Sequence, residues 1–325
     1  MRMASSRTPP DRQKSAPDHA AEAGPRTPGR RPRIALVAKR SAYRLYVEEG
    51  HDVRLAELVA QNDPAATPLR ASHEAHERTV REVQDAIATV GADLVAMRHA
   101  GESFDAADLD LVVTVGGDGT LLAASHFVGD VPVLAINSAP QHSVGFFCGA
   151  QAGSALGALR AAVRGDLRRA VLTRMSVTLN GRVLTERVLN DALYCHASPA
   201  ATSRYILHIG DDEEQQKSSG FWIGPAAGST AAQRSAGGRV LPLTSKQLQL
   251  VVREPYTPHG ESYLLRHALI PPGRTLTVRS KMHDGRIFLD GPDKVLEIGY
   301  GDVVTFAQAP EPLTVLGISS RRKWG

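Results

Sequence analysis

Gly116-Gly117-Asp118-Gly119-Thr120 stands directly after the β-branched run Leu111-Val112-Val113-Thr114-Val115 and before the helix formers Leu121-Leu122-Ala123-Ala124. A glycine-rich turn that ends a strand and opens a helix lies where open α/β sheets place their ligands. Without a Cβ in the way, backbone N–H groups along Gly116, Gly117, Gly119 and Thr120 reach phosphate oxygens, and the helix start adds a positive dipole end. Asp118 is the member that carries chemistry. A carboxylate beside a phosphate site is repulsive unless it serves a phosphate-bound Mg²⁺ or accepts the proton of an attacking hydroxyl. Gly and Asp also build plain structural turns, but the strand–turn–helix setting favours a phosphate site. There is no GxxxxGK[ST] and no properly placed GxGxxG, so Walker-type ATPases and ordinary dinucleotide dehydrogenases lose support.

Two further constellations lie downstream. Leu189-Asn190-Asp191 sets an amide and a carboxylate side by side at the end of a strand-like run. An Asp that accepts from ribose hydroxyls is one way to hold adenosine, and an Asn-Asp turn is the plainer reading. Gly228-Ser229-Thr230-Ala231-Ala232-Gln233-Arg234-Ser235-Ala236-Gly237-Gly238 is dense in glycine, hydroxyls and small side chains. So little side-chain bulk suits a pocket wall made of backbone, or equally a tight loop in a β domain. His196, His208, His259, His267 and His283 match no zinc spacing. Cys195 beside His196 is a weak nucleophile signal, and Cys148 reads as a small core residue.

The elements that must position these residues follow from periodicity. Ile34–Ala38, Asp93–Met97, Leu111–Val115 and Val131–Ile136 are short apolar runs of the kind that suits buried parallel strands. Val80, Val83, Ile87 and Val90 recur at helical spacing before Gly91, and Leu156, Leu159 and Val163 do so before Gly165. Strand and helix thus alternate from 34 to about 168, which predicts an α/β domain with a parallel, Rossmann-like sheet. Beyond 169 the rhythm changes. Met175–Leu179 and Arg182–Leu184 flank the hairpin signal Asn180-Gly181. Short runs then follow at 204–209, 248–253, 274–279, 286–289, 295–298 and 302–306, so residues 169–325 read as a mostly antiparallel β domain whose last segment packs back on the first.

Length and charge bound the rest. The 325 residues, 42% hydrophobic, suit two domains, and no apolar run reaches the ~18–20 residues of a membrane helix. The pI near 9.2 suggests nucleic acid until the charge is located. Residues 1–33 hold eight basic side chains against three acidic ones. That surplus of five exceeds the whole chain's +4, so residues 34–325 sum to −1. The basicity belongs to a tail with six prolines and almost no aliphatic residue, which reads as disordered. No partner in nucleic acid or membrane is expected. The tail lacks the apolar stretch of a secretory signal. It is rich in Arg, Ser and Ala like a transit peptide, but its acids and prolines weigh against one, and two cysteines fit a reducing compartment; a cytoplasmic location is expected.

GGDGT is shared by several kinase families, including phosphofructokinase-like enzymes, lipid kinases and NAD kinases. GGDGT (116–120), VPVLAIN (131–137), VLND (188–191), GSTA and SAGG (228–231, 235–238) and LDG (289–291), in that order, resemble the NAD kinase family over roughly 34–320. TVGGDGTLLAASHF (114–127), LNDALYCHASPAATSRY (189–205), KSSG (217–220) and VREP (252–255) are most similar to its plant NADH kinase subgroup. The resemblance implies phosphorylation by ATP of the 2′-hydroxyl of the adenosine ribose in NAD or NADH. It implies Asp118 as the group that contacts this ribose and takes its proton, and Gly116, Gly117, Gly119 and Thr120 as the turn for the ATP phosphates and Mg²⁺. Asn190 and Asp191 would hold the dinucleotide, with Gly228, Ser229, Thr230, Ala231 and Ser235 as the adenosine wall. Phe146 falls where many members set an aromatic against adenine; an ordinary core phenylalanine is the alternative. The metal would arrive on ATP rather than in a protein cage, polyphosphate is a second donor to consider, and a homodimer or homotetramer is implied.

The sequence also departs from the family. The common TPTGSTAY is PAAGSTAA here (225–232), and an acidic residue often found near the nicotinamide aligns with Ser219. A missing negative charge there changes how a cationic nicotinamide is received relative to a neutral one. Two other readings compete. A lipid or sphingoid-type kinase needs an apolar acceptor channel, which the hydroxyl-rich 228–238 stretch does not suit. A non-catalytic nucleotide sensor would bind without turnover, and the presence of Asp118, Asn190 and Asp191 together argues against it.

Overall fold

Neither face of the strand Arg33–Ala38 meets water, and this sets the architecture of the first half. Ile34, Leu36 and Ala38 enter one apolar cluster and Val37 another, the alternation of a pleated strand covered on both sides. The structure, a computed structural model, describes residues 30–257 and 262–319. The expectation of a disordered tail therefore falls almost wholly outside the described residues, as do His259 and Arg321 to Lys323.

The first half runs β1 (Arg33–Ala38), α1 (Val53–Ala60), α2 (Thr67–Thr89), β2 (Asp93–His99), β3 (Leu111–Gly116), α3 (Asp118–Ser125), β4 (Val133–Asn137), β5 (Ala150–Gln151), α4 (Ala155–Arg164) and β6 (Arg169–Leu172). α2 buries His73, His76, Val80, Val83 and Ile87, a stripe at alternating three- and four-residue spacing. Its chain reverses at Gly91 (φ +71°), and α4 is capped by Gly165 in the left-handed region (φ +82°). The buried stripe of α4 is Ala155, Leu159 and Ala162, not Leu156, Leu159 and Val163; Leu156 is exposed. Small alanines let α4 lie close against its neighbours.

The second half runs β7 (Met175–Leu179), β8 (Arg182–Val188), β9 (Ala192–His196), β10 (Ser203–Ile209), β11 (Asp212–Ser218), β12 (Phe221–Pro225), a 3₁₀ turn over Ala226–Thr230, α5 (Ala232–Ser235), β13 (Leu248–Val252), β14 (His267–Ile270), β15 (Thr275–Ser280), β16 (Gly285–Leu289), β17 (Val295–Ile298), β18 (Val303–Gln308) and β19 (Leu313–Leu316). Asn180 and Gly181 both have positive φ (49° and 82°), as a two-residue hairpin turn requires. Two antiparallel sheets, ordered β11-β10-β15-β18-β7-β8 and β14-β13-β12-β9-β16-β17, pack around Met175, Tyr194, Tyr205, Phe221 and Phe306. Tyr194 stacks on Phe221 at 4.9 Å between centroids.

The first sheet has the order β2-β1-β3-β4-β19-β6, with β5 also beside β4. β1 to β4 are parallel, and β19 enters parallel to β4 and antiparallel to β6. One face of this sheet is covered by α2 and α4. On the other, Leu121 and Ala124 of α3 share a cluster with Leu189, Ala227 and Leu243 from the β half. That shared cluster brings the GGDGT helix and the two downstream motifs onto one side of the sheet.

Candidate active site

Asp118 opens α3 at the carboxyl end of β3, in the middle of the parallel sheet. Its two carboxylate oxygens accept the backbone N–H groups of Phe147 (2.8 Å) and Phe146 (2.9 Å). The helix has no side-chain cap at Gly117; of its first-turn donors, Thr120 N bonds Gly117 O (3.0 Å). A Cβ at Gly116 would overlap Thr120 Oγ1, and one at Gly117 would stand 2.6 Å from Ser143 Oγ. Nothing lies within 4 Å of a Cβ built on Gly119, which is exposed. The turn is closed below by protein and open above.

The 137–147 loop forms the rim. Asn137 Nδ2 donates to Ser143 O (2.9 Å), and its Oδ1 accepts from Ala139 N (3.1 Å). Gly145 takes φ +65°, with a Cβ position only 2.6 Å from Asn137 Nδ2, so only glycine fits. This loop holds Phe146 55% exposed while Phe147 is buried, so Phe146 is not a core residue. Cys148, next along, is pushed up to about 12 by burial and by the charge of Asp118, which makes it an inert thiol. Cys195 is also a free thiol shifted upward by burial.

His76 braces the turn from α2. The ring is buried, its Nδ1 meets Ser138 Oγ at 3.0 Å, and Ser138 N donates to Gly116 O (3.1 Å). Burial holds the imidazole down at about 4, so it is neutral at physiological pH.

The second motif sits across the shared cluster. Asp191 is buried, and Asn190 Nδ2 donates to its Oδ2 at 3.0 Å. Burial first, and the neighbouring Asp290 charge second, push the Asp191 carboxyl up to about 7. Cβ atoms on Gly224 or Gly228 would overlap the Asn190 carbonyl oxygen, so the 224–230 backbone lies directly on the Asn190–Asp191 turn. Thr230 is half-buried at the end of the 3₁₀ turn, and Ala231 and Ser235 are exposed on and beside α5. Ser229, expected with the adenosine wall, lies behind these residues. It is fully buried, with its hydroxyl donating to Ala226 O (2.7 Å) and accepting from Leu241 N (2.9 Å), so it shapes the turn from behind.

Residues 26–166 match the family description "ATP-NAD kinase N-terminal domain". A "Probable NADH kinase" of Oryza sativa subsp. japonica is 33% identical over 263 residues, 74% of this chain and 81% of the relative. The chain belongs to the NAD kinase family. An NADH kinase of Arabidopsis thaliana is likewise 33% identical, over 78% of this chain and 88% of its own, so the likeness to the plant subgroup also holds. In fold, a crystal structure of an NAD kinase from Archaeoglobus fulgidus in complex with ATP superposes with a TM-score of 0.62 at 18% identity, covering 87% of this chain and 92% of that one.

Two features of this NAD kinase family member were not singled out from sequence. Asp290, in the LDG stretch, takes a left-handed φ of 52° and turns its carboxylate under residues 189–191. Its signal was LDG itself. Arg174 is the largest fully buried side chain and donates to Ser125 O (3.1 Å) and Val128 O (2.8 Å) at the far end of α3, while pairing with Glu311 (2.7 Å). No local signal marks it. Among the described residues, no cluster of three or more His, Cys, Asp or Glu side chains could hold a metal, and no helix is long and apolar enough to cross a membrane.

Proposed function

We propose that this protein transfers the γ-phosphoryl group of ATP to the 2′-hydroxyl of the adenosine ribose of NAD or NADH, giving NADP or NADPH. The observation that carries this reading is the packing of the Gly116–Thr120 turn and the Asn190–Asp191 turn on one face of the sheet, in a chain related to NAD kinases and NADH kinases. A phosphate-binding turn and a ribose-binding carboxylate on one face are what phosphorylation of a nucleotide sugar needs. The hydroxyl- and glycine-rich 228–238 wall does not suit a lipid kinase.

ATP phosphates would lie on the N-terminus of α3 and the glycine backbone. Mg²⁺ would arrive on those phosphates and supply charge neutralisation; a hard cation that keeps its waters suits a turn with a single carboxylate. Asp118 accepts two backbone N–H bonds and retains acceptor capacity for the ribose hydroxyl. It orients that hydroxyl in line with the γ-phosphorus and takes its proton as the new P–O bond forms and the bond from the γ-phosphorus to the bridging oxygen breaks, releasing ADP. The transition state is loose, so positioning contributes most of the acceleration. Asp191 and Asn190 hold the dinucleotide, and the exposed ring of Phe146 offers a face for adenine.

Ser219 favours the reduced dinucleotide. Where relatives often carry an acid, this chain has a serine, which brings no negative charge to attract a cationic nicotinamide; its carbonyl accepts from Arg253 Nη1 (3.4 Å), a guanidinium that Glu254 pairs at 3.9 Å. A dimer or tetramer and a cytoplasmic location complete the reading. The test is a coupled assay of NAD and NADH in parallel, each with ATP and with polyphosphate. NADPH or NADP from the ATP arms, with a lower KM for NADH, is the expected result. No product in any arm, with nucleotide still bound, would make the protein a sensor instead.

A further inference from the structure

α3 carries Asp118 at one end and is followed at the other by His126. There His126 Nε2 lies 3.1 Å from Asp290 Oδ2, with side chains only 11% and 2% exposed. On the ring's other side Lys294 Nζ stands 3.3 Å from Nδ1. An ammonium donates and does not accept, so Nδ1 presents its lone pair and Nε2 carries the proton given to Asp290. The Asp290 carboxylate also accepts three consecutive backbone N–H groups, from Leu189 (2.9 Å), Asn190 (2.6 Å) and Asp191 (3.1 Å). Its own N–H returns a bond to Asp191 O (2.9 Å). Four donors on one buried carboxylate, held by a residue in the left-handed region, form a built junction rather than a loop accident.

We propose that Asp290, anchored by His126, is a positioning residue that sets the dinucleotide-holding Asn190–Asp191 turn relative to the helix bearing Asp118. This rests on the NAD(H) kinase reading above. The junction joins three distant parts of the chain: the end of the phosphate helix, the 189–191 turn, and the loop after β16. It acts in two ways. Geometrically, it fixes three successive peptides and hence where the Asn190 and Asp191 side chains sit. Electrostatically, its charge faces Asp191 and helps hold that carboxyl up at about 7, whereas His126 and Lys294 face Asp290 itself and Arg187 acts on Lys294. The ionised Asp191 is the form that accepts from ribose hydroxyls.

The experiment compares the full-length native protein with Asp290→Asn, His126→Leu and His126→Gln, measuring kcat and KM for NADH and ATP from pH 6 to 9, with thermal melts of each. Asp290→Asn keeps the shape but places an amide among four donors. It should raise the dinucleotide KM about tenfold or more while the ATP KM changes less than about twofold, in line with losing hydrogen bonds to a charged acceptor. The acid limb of kcat/KM should also move to lower pH, because Asp191 loses a like charge. His126→Leu should raise the dinucleotide KM in the same direction, and His126→Gln should restore it, since its amide donates to Asp290 and its oxygen accepts from Lys294. A folded Asp290→Asn with unchanged dinucleotide KM and unchanged acid limb overturns the proposal. If Asp290→Asn does not fold, equal KM values for His126→Leu and His126→Gln overturn it, and rescue by Gln supports it. Absence of turnover in the native protein would instead remove the NAD(H) kinase reading.

Discussion

Gly228 lies with its backbone directly against the carbonyl oxygen of Asn190, close enough that a Cβ would overlap that oxygen. Gly228→Ala must push the 226–230 turn away from the Asn190–Asp191 turn. The expected cost is about 1–3 kcal/mol of stability for forced displacement in a packed region. Dinucleotide KM should rise at least about tenfold, the equivalent of about 1.4 kcal/mol. Thermal melts and initial-rate kinetics read the two effects separately. A variant with native kinetics would show that this contact does not shape the site.

Asp118→Asn should lower kcat by at least about a hundredfold, the low end for loss of a general base, while dinucleotide binding persists. The amide can satisfy only one of the Phe146 and Phe147 N–H groups through its single oxygen, so the 143–147 rim should also loosen. Turnover together with calorimetric titration of NADH separates the two. Turnover near the native rate would sink the assignment of Asp118.

Arg174 is wholly buried, and its guanidinium satisfies the carbonyl oxygens of Ser125, Val128, Glu311 and Pro312 as well as the Glu311 carboxylate. Burial lowers its pKa to about 10, so it stays charged at neutral pH. Arg174→Met leaves several acceptors unsatisfied and should cost about 3–5 kcal/mol, as breaking a buried pair does. Urea unfolding measures this. Glu311→Gln should cost far less, because Glu311 is partly exposed and its main-chain contacts remain. Equal losses in the two variants would mean that the carbonyl contacts contribute nothing.

Asp191 ties stability to pH. Its carboxyl is raised to about 7 by burial, then by Asp290, against about 4 in an unfolded chain. Between those values the folded protein binds a proton that the unfolded chain has released, so this group's contribution to stability falls as pH rises. Asp191→Asn lacks the titration. Its melting temperature relative to the native protein should therefore climb from about pH 5 to 7 and level off above. Parallel melts at four pH values provide the measurement, and a flat difference would contradict a raised Asp191.

The central parallel strands β1, β3 and β4 were legible because each is built on a buried apolar run, whereas the apolar residues Leu94, Val95 and Met97 of the edge strand β2 are exposed; the turns were legible because Gly91, Gly165 and Asn180-Gly181 adopt the conformations those residues favour. The glycine turn was legible for the same reason: its chemistry is local. Other elements had no local signature. β11 is Asp-Glu-Glu-Gln-Gln-Lys-Ser, without one apolar residue, and is a strand because β10 pairs with it along its whole length. Arg174 sits in sequence like any surface arginine, and only the assembled fold shows that acceptors surround it. His126 and Asp290 are 164 positions apart, and nothing in either residue's neighbours foretells their meeting. The inward turn of the Ser229 hydroxyl was not legible, because a hydroxyl facing inward and one facing a ligand look the same in sequence.

β19 fills the place between β4 and β6 in the sheet that carries Asp118. Until Leu313–Leu316 has left the ribosome, β4 is paired on that side only at its carboxyl end, by β5, and Arg174 lacks Glu311. The nascent chain must therefore carry a partly open, apolar sheet edge while the whole β half, from β7 to β18, is being made. A ribosome stalled anywhere in the β half would display that edge to solvent, where an incomplete chain is most apt to pair with another or to be held by a chaperone.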